Sequence, residues 1–396
     1  MAPQARVGLD VALRKFPARL KEKKVGVLCH SASVTSSLTH IVDALRDSGR
    51  CTVSAIFGPQ HGLFGQTQDN MVEWEGATHP TLGIPVYSLY GAHRKPSLQM
   101  LAGLDALVVD LQDVGARPYT YVWTVKHCME ACAEAGIPVW VFDRPNPISG
   151  ADFDGPLLSP EFFSFVGGAE IPLCHRLTMG EMAQFVKAQY VPTVDLHVVW
   201  MDGWCRDSLW NETGCPWVLP SPNMPTFETA MVYPGQVLLE ATNLSEGRGT
   251  TRPFELFGAP YIQPEKFRAA LKRFRVPGMV LRDHDFIPTF QKWRGEHCRG
   301  FQIHVTSPRR YRPVFTTAAI IAAAIETSGG QCAFKAPPYE YETVKIPFDI
   351  LAGDARLRQR LESGRFSEET GKEWRDERAD FIRTFREFTQ YPEKAA

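Results

Sequence analysis

Residues 104–147, LDALVVDLQDVGARPYTYVWTVKHCMEACAEAGIPVWVFDRPNP, decide the fold. Leu104–Leu111 and Ile137–Asp143 are short, nearly continuous apolar runs. A strand covered on both faces has this composition. Between them, YVWTVKHCMEACAEAG repeats with helical periodicity and stops at Gly136, a residue suited to a helix end. A strand, a helix and a second strand of these lengths predict a parallel sheet with a right-handed crossover. The pattern extends upstream. Lys23–His30 (KKVGVLCH) and Cys51–Phe57 (CTVSAIF) read as two more buried strands, and Thr39–Gly49 between them as a helix closed by Gly49. The fold class is therefore α/β, with a Rossmann-like parallel sheet in the N-terminal domain.

Downstream, the text from about residue 151 to residue 233 is rich in loops. It holds one helix opened by the capping box Thr178–Glu181 and one strand, VDLHVVWM. After Pro234 the pattern changes to a helix (EKFRAALKRF), a strand (RGFQIHVTS) and several further helices. This places a boundary near 230, dividing the chain into a domain of residues 1–230 and a smaller C-terminal α/β domain of 231–396. The run Ala318–Ile325 is too short to span a bilayer and reads as a buried helix.

Composition excludes several classes. The 396 residues carry 43 basic and 44 acidic side chains, so there is no basic excess for nucleic-acid binding. The start of the chain lacks the apolar stretch of a signal peptide, and the 9 cysteines are scattered, which together predict a cytoplasmic protein. Cys128 and Cys132 stand one helical turn apart beside His127, but no second cluster completes a zinc site, so no metal is expected. The strings of a P-loop, a dinucleotide fingerprint and a nucleophile elbow are absent, so no cofactor is expected either. Nothing in the residues sets an oligomeric state or suggests a membrane partner.

Ligands of open parallel sheets bind beyond the carboxyl ends of the strands. Three loops leave those ends, and all are rich in Gly, Pro, amides and charge. The first supplies Gln60, His61, Asp69, Asn70 and Glu73, with Trp74 as a candidate stacking surface for a sugar. The second supplies Asp113 and Arg117, a candidate ion pair, and Tyr119. The third, DRPNPISG, supplies Asp143, Arg144 and Asn146 on a proline-stiffened segment. Two later segments add Ser221 and Asn223, then Glu240, Asn243, Glu246, Arg248 and Arg252. Amides, carboxylates and guanidinium groups converging on one rim suit a polyhydroxylated small molecule, so a carbohydrate is the expected partner.

At these residues the chain resembles the bacterial exo-β-N-acetylmuramidase family of glycoside hydrolases. The resemblance is carried, in order, by PVYSLYG, DLQDVGARPYTY, DRPNP, SFVG, PSPNMPT, YPG, TNLSEGRGTTRPFE and FDILAGD. It implies two α/β domains with a cleft between them and removal of terminal N-acetylmuramic acid from peptidoglycan fragments. It implies neither metal nor nucleotide. Members of that family carry P-E-H-G where this chain has Pro59, Gln60, His61 and Gly62, and the glutamate there is the family's leading candidate for the catalytic acid. Gln60 has no proton to give. Glycoside hydrolysis normally takes two carboxyl groups, and the nearest replacements are Glu73 and Asp69. The expected pair is Glu73 as acid with Asp113 as the second carboxylate, while Arg117, Arg144 and Arg248 are candidates for binding a substrate carboxylate. Two alternatives stand beside this reading: a sugar-binding protein that does no chemistry, and a hydrolase of a different glycoside.

Overall fold

The computed structural model describes residues 5–65, 67–68, 71–150 and 152–393. The strands in chain order are β1 (Lys24–Cys29), β2 (Thr52–Gly58), β3 (Ala77–Thr78), β4 (Pro85–Ser88), β5 (Ala106–Asp110), β6 (Val139–Phe142), β7 (Asp154–Leu157), β8 (Pro172–Cys174), β9 (Leu196–Val199), β10 (Leu256–Ala259), β11 (Met279–Asp283) and β12 (Arg299–Val305). Seven of them form the central sheet in the order β3-β4-β2-β1-β5-β6-β9. Every pair in it is parallel except the edge pair β3–β4. The four strands expected from residues 23–143 are β1, β2, β5 and β6. Their apolar runs face core on both sides, one cluster on each face of the sheet.

The crossover helices end where the glycines predict. Gly49 and Gly136 close the helices Ile41–Ser48 and Tyr121–Ala135 at φ 62° and 69°. In that left-handed region a side chain would strain the backbone. Thr178 and Glu181 form the expected capping box on the helix Met179–Gln189.

The C-terminal half is built on the antiparallel sheet β10-β12-β11 and the helix Pro313–Thr327. The expected division at 230 falls inside the helix Phe227–Gln236, and one hydrophobic cluster runs from β5 and β6 through this helix to Pro313–Thr327. The two halves therefore share a core. Within the C-terminal half the helix Phe227–Gln236 packs tightly on Pro313–Thr327 at Gly235, where an added Cβ would lie 1.9 Å from the Pro313 carbonyl oxygen. The chain end also returns to the first half. The Tyr391 hydroxyl donates to Asp143 and accepts from the Met201 amide at 2.9 Å.

Among the described residues no helix is long and apolar enough to cross a membrane. Nor does any group of three or more His, Cys, Asp or Glu stand positioned to hold a metal ion among them.

Because backbone meets backbone at Gly235, the helices cannot part locally to admit a methyl group. Gly235→Ala should destabilise the protein by about 3 kcal/mol, the upper end of overpacking costs. Thermal unfolding reads this as a loss of several degrees, and an unchanged Tm would show that the packing there is loose.

Candidate active site

The site forms where the sheet topology changes direction. From β1 the chain moves to one side for β2 and later returns on the other side for β5, so the loops after β2 and β5 part above β1. Gln60 lies two residues beyond β2, and Thr120 and Tyr121 open the helix that follows β5. The C-terminal half covers this crevice. The resulting cavity is lined by Gln60, Tyr119, Asn223, Glu240, Arg248 and Glu340, among others. It is narrow, about 40 Å3, room for a few waters.

Glu340 is the central group, and sequence reasoning missed it. It lies in a two-residue hairpin turn in which Tyr339 and Glu342 exchange backbone hydrogen bonds of 2.8 and 2.9 Å. The turn residues Glu340 and Tyr341 have φ of 43° and 67°. Asn-Gly is the usual occupant of such a turn, because larger side chains are strained there. Here that strain presents one carboxyl to the seam. Glu340 is 5 % exposed. Its Oε2 accepts from the Tyr90 hydroxyl at 2.9 Å, and the Gln60 amide Nε2 stands 3.4 Å from its Oε1. Gln60 is itself oriented by Thr120, whose hydroxyl donates to the Gln60 Oε1 at 2.7 Å. Burial pushes the Glu340 carboxyl up to about 7 and the nearby Glu240 adds to the rise, while the bonds from Tyr90 and Gln60 oppose it.

A second carboxyl stands in the same cavity. Glu240 accepts from Arg248 Nη2 at 2.7 Å and from the Tyr339 hydroxyl at 2.8 Å. Behind them, Glu246 pairs with Lys292 at 2.5 Å and with Arg248 Nε at 3.4 Å. Burial alone would lower the Arg248 pKa, but Glu240 and Glu246 raise it above the usual arginine value. Burial brings Lys292 down to about 8 against the pull of Glu246. Arg248 Nη1 has no hydrogen-bond partner among the described residues, so the cavity wall carries a buried cationic donor available to a ligand.

The expected site residues divide into two groups. Gln60, His61, Tyr119, Asn223 and Arg248 line the cavity, with Glu246 directly behind. His61 is turned by a φ of 70° and its Nδ1 lies 2.7 Å from the Thr67 carbonyl oxygen. The Asn223 amide donates to the Gln68 carbonyl oxygen at 2.7 Å. Asp69 and Asn70 lie outside the described residues.

The remainder are elsewhere. Glu73 is exposed and belongs to the surface beside Tyr341, not to the cavity wall. Trp74 packs against Gly58 and donates to the Pro59 carbonyl at 3.1 Å, so it braces the loop rather than offering a stacking face. The expected Asp113–Arg117 ion pair does not form. Asp113 sits behind the tyrosine layer, accepting from the Gly115 amide at 2.7 Å with His175 at 3.5 Å. Burial drives the Asp113 pKa up to about 7 and that of His175 down to about 3. Arg117 instead bonds the carbonyls of Pro156, Ile171 and Leu351, tying the two halves together.

The third rim loop is also internally satisfied. Asp143 receives the Thr178 hydroxyl and the Gly180 amide at the start of a helix. Arg144 clamps Asp110 with two nitrogens, and Asn146 bonds the carbonyls of His175 and Leu177. Asn243 holds the Gln331 carbonyl and the Tyr261 hydroxyl. The bonds these groups make stiffen the frame.

A Rossmann-like sheet, a covering α/β half and two buried carboxyls in the cavity at their seam make an arrangement suited to glycoside hydrolysis. Family models place the chain more closely. Residues 25–228 match the N-terminal domain and residues 231–391 the C-terminal domain of exo-β-N-acetylmuramidase NamZ, and the chain belongs to that family. It is 41% identical over 363 residues to the peptidoglycan β-N-acetylmuramidase NamZ of Bacillus subtilis strain 168, covering 91% of this chain and 85% of that one. Two solved DUF1343-family structures from Bacteroides fragilis share the fold. One is 29% identical with a TM-score of 0.86, covering 98% of this chain and 99% of its own. The other is 25% identical with a TM-score of 0.78, covering 99% and 100%.

If the turn at 340–341 is strained for the sake of its carboxyl, replacing both residues by Asn-Gly separates stability from function. Relieving left-handed strain is worth about 1–2 kcal/mol per residue, which offsets the Tyr90 and Gln60 hydrogen bonds removed with the carboxyl. The double variant should therefore keep or raise its Tm while turnover disappears. A large drop in Tm would show that the turn is not strained.

Proposed function

We propose that the protein removes a terminal β-linked N-acetylmuramic acid residue from peptidoglycan-derived glycans, with Glu340 as the general acid and Glu240 as the second carboxyl group. The observation that carries this reading is the burial of Glu340 between the two halves, with a pKa of about 7. A carboxylic acid still protonated near neutrality is what a glycosidic leaving oxygen needs. Tyr90 occupies Oε2. The longer Gln60 contact leaves Oε1 as the oxygen that carries the transferable proton. Glu240, aligned by Arg248 and Tyr339, activates water or meets positive charge at the sugar carbon. The free Nη1 of Arg248 suits the lactyl carboxylate that distinguishes muramic acid from other amino sugars. Arg117 and Arg144, also considered for that role, are committed to the frame. A pyranose needs more room than the cavity now has, so binding displaces side chains at its mouth, where Asn223 and His61 sit on loops. The nine unpaired cysteines support a reducing compartment such as the cytoplasm.

Release of N-acetylmuramic acid from its β-linked disaccharide with N-acetylglucosamine, whose leaving sugar oxygen must be protonated, tests the assignment. Glu340→Gln should lower kcat by about 10²–10⁴, the usual worth of a positioned acid, and full turnover in that variant would refute the role. Glu73→Gln, the alternative acid, should remain active.

The pH profile gives an independent check. The acid works only while protonated, so kcat/KM should fall as pH rises through about 7. The Tyr90 hydrogen bond favours the ionised form. Tyr90→Phe should therefore move the falling limb to higher pH, and a shift to lower pH would contradict the assignment.

A further inference from the structure

Glu340 also borders a second, wider space. On its other side lies an open groove of about 330 Å3, lined by Arg94, Trp123, Lys126, Phe163, Phe165 and Tyr341. Its floor is aromatic: the Phe165 and Tyr341 rings line it with centroids 5.5 Å apart, and the buried Tyr90 ring backs them at 5.5 and 5.7 Å. Its rim is cationic. The Arg94 guanidinium is exposed and lies 4.2 Å from the Tyr341 ring centroid. Lys126 Nζ donates to the Gly168 carbonyl at 3.0 Å and lies 4.7 Å from the Tyr190 ring centroid. Among the described residues no carboxylate stands at salt-bridge distance from either cation. Glu342, the acidic group on the rim, accepts from the amides of Val344 and Lys345 at 2.8 and 3.2 Å.

An acid that protonates a glycosidic oxygen stands at the boundary between the sugar cleaved off and the chain that leaves. Two spaces that meet at one such acid therefore hold the two sides of the bond. The enclosed polar cavity suits the terminal sugar, and the open groove suits the remainder, which must extend into solvent. Aromatic faces pack on the apolar faces of pyranose rings. Among the described residues neither cation forms a salt bridge, although Lys126 feels a nearby carboxylate, Glu130, so covering the pair is costly and the occupant that fits is anionic.

We propose that this groove receives the leaving portion of a carboxylate-bearing glycan chain, and that Arg94 and Lys126 are specificity-determining residues for that chain. The proposal rests on the reading of Glu340 as the acid.

The test compares wild type with the double variant Arg94→Gln/Lys126→Gln on two substrates. One is an aryl β-N-acetylmuramide, which offers the groove a single neutral ring. The other is a peptide-free tetrasaccharide of alternating N-acetylmuramic acid and N-acetylglucosamine. The readout is the ratio of kcat/KM for the tetrasaccharide to that for the aryl glycoside. It should fall at least tenfold in the double variant, and added salt should lower it in wild type but not in the variant. An unchanged ratio overturns the groove assignment alone, because the acid assignment is decided separately by the Glu340→Gln variant. If wild type cleaves neither substrate, the acid assignment has failed, and calorimetry with the tetrasaccharide decides the groove separately. A tenfold or greater loss of affinity in the double variant sustains it, and equal affinity overturns it.

Discussion

The carboxyl of Glu340 is carried on one half of the chain and satisfied by the other. Gln60 and Tyr90 both come from the parallel-sheet half and reach across 280 and 250 residues of sequence. An unpaired carboxyl at that depth would cost several kcal/mol. The seam is therefore stable only when the two halves are in register, and the same register assembles the cavity. Folding and site formation are one event in this region, which is why a single core cluster spanning both halves matters more than any domain boundary.

That dependence orders the surrounding charges. Glu240 and Glu246 would repel each other and raise the cost of burying Glu340, but Arg248 lies between them and Lys292 lies behind. The alternation of two carboxylates and two cations keeps the wall close to neutral while leaving one guanidinium nitrogen uncommitted. Arg117 does a different job with similar chemistry. Its guanidinium gathers backbone carbonyls from β7, from the turn before β8 and from the helix ending at Ala352, so it fixes the angle at which the second half covers the sheet. Losing it would remove the hydrogen bonds that join the Leu351 carbonyl of the second half to those of Pro156 and Ile171 in the first.

Much of this architecture was legible in the residues. Strands covered on both faces must be continuously apolar, so β1, β2, β5 and β6 announce themselves, and Gly49 and Gly136 mark helix ends because few other residues tolerate that backbone. The rim loops were legible as well, since Gly, Pro and polar side chains in one segment exclude a core role. What each rim side chain does was not. Asp143, Arg144 and Asn146 look like ligand-binding groups in the sequence, but buried loops must also satisfy their own amides and carbonyls, and these three are consumed by that need. Glu340 was invisible for the opposite reason. PPYEYETV has no motif spacing, and its partners are remote. The faint signal was an acid flanked by tyrosines directly after two prolines, together with Tyr90 inside a string already marked by family resemblance.

The amide at position 60 fits this arrangement better than an acid would with Glu340 in its present place. Two carboxyls within hydrogen-bond distance cannot both ionise cheaply, and they titrate as a pair with one proton held strongly. An amide avoids that conflict. Its oxygen accepts from Thr120 and its nitrogen points at Glu340, so a neutral group supplies the orientation while the neighbouring carboxyl keeps a proton it can surrender near neutral pH. With Glu340 as the proposed acid, an amide at position 60 leaves a protonatable carboxyl on the turn that closes over the seam.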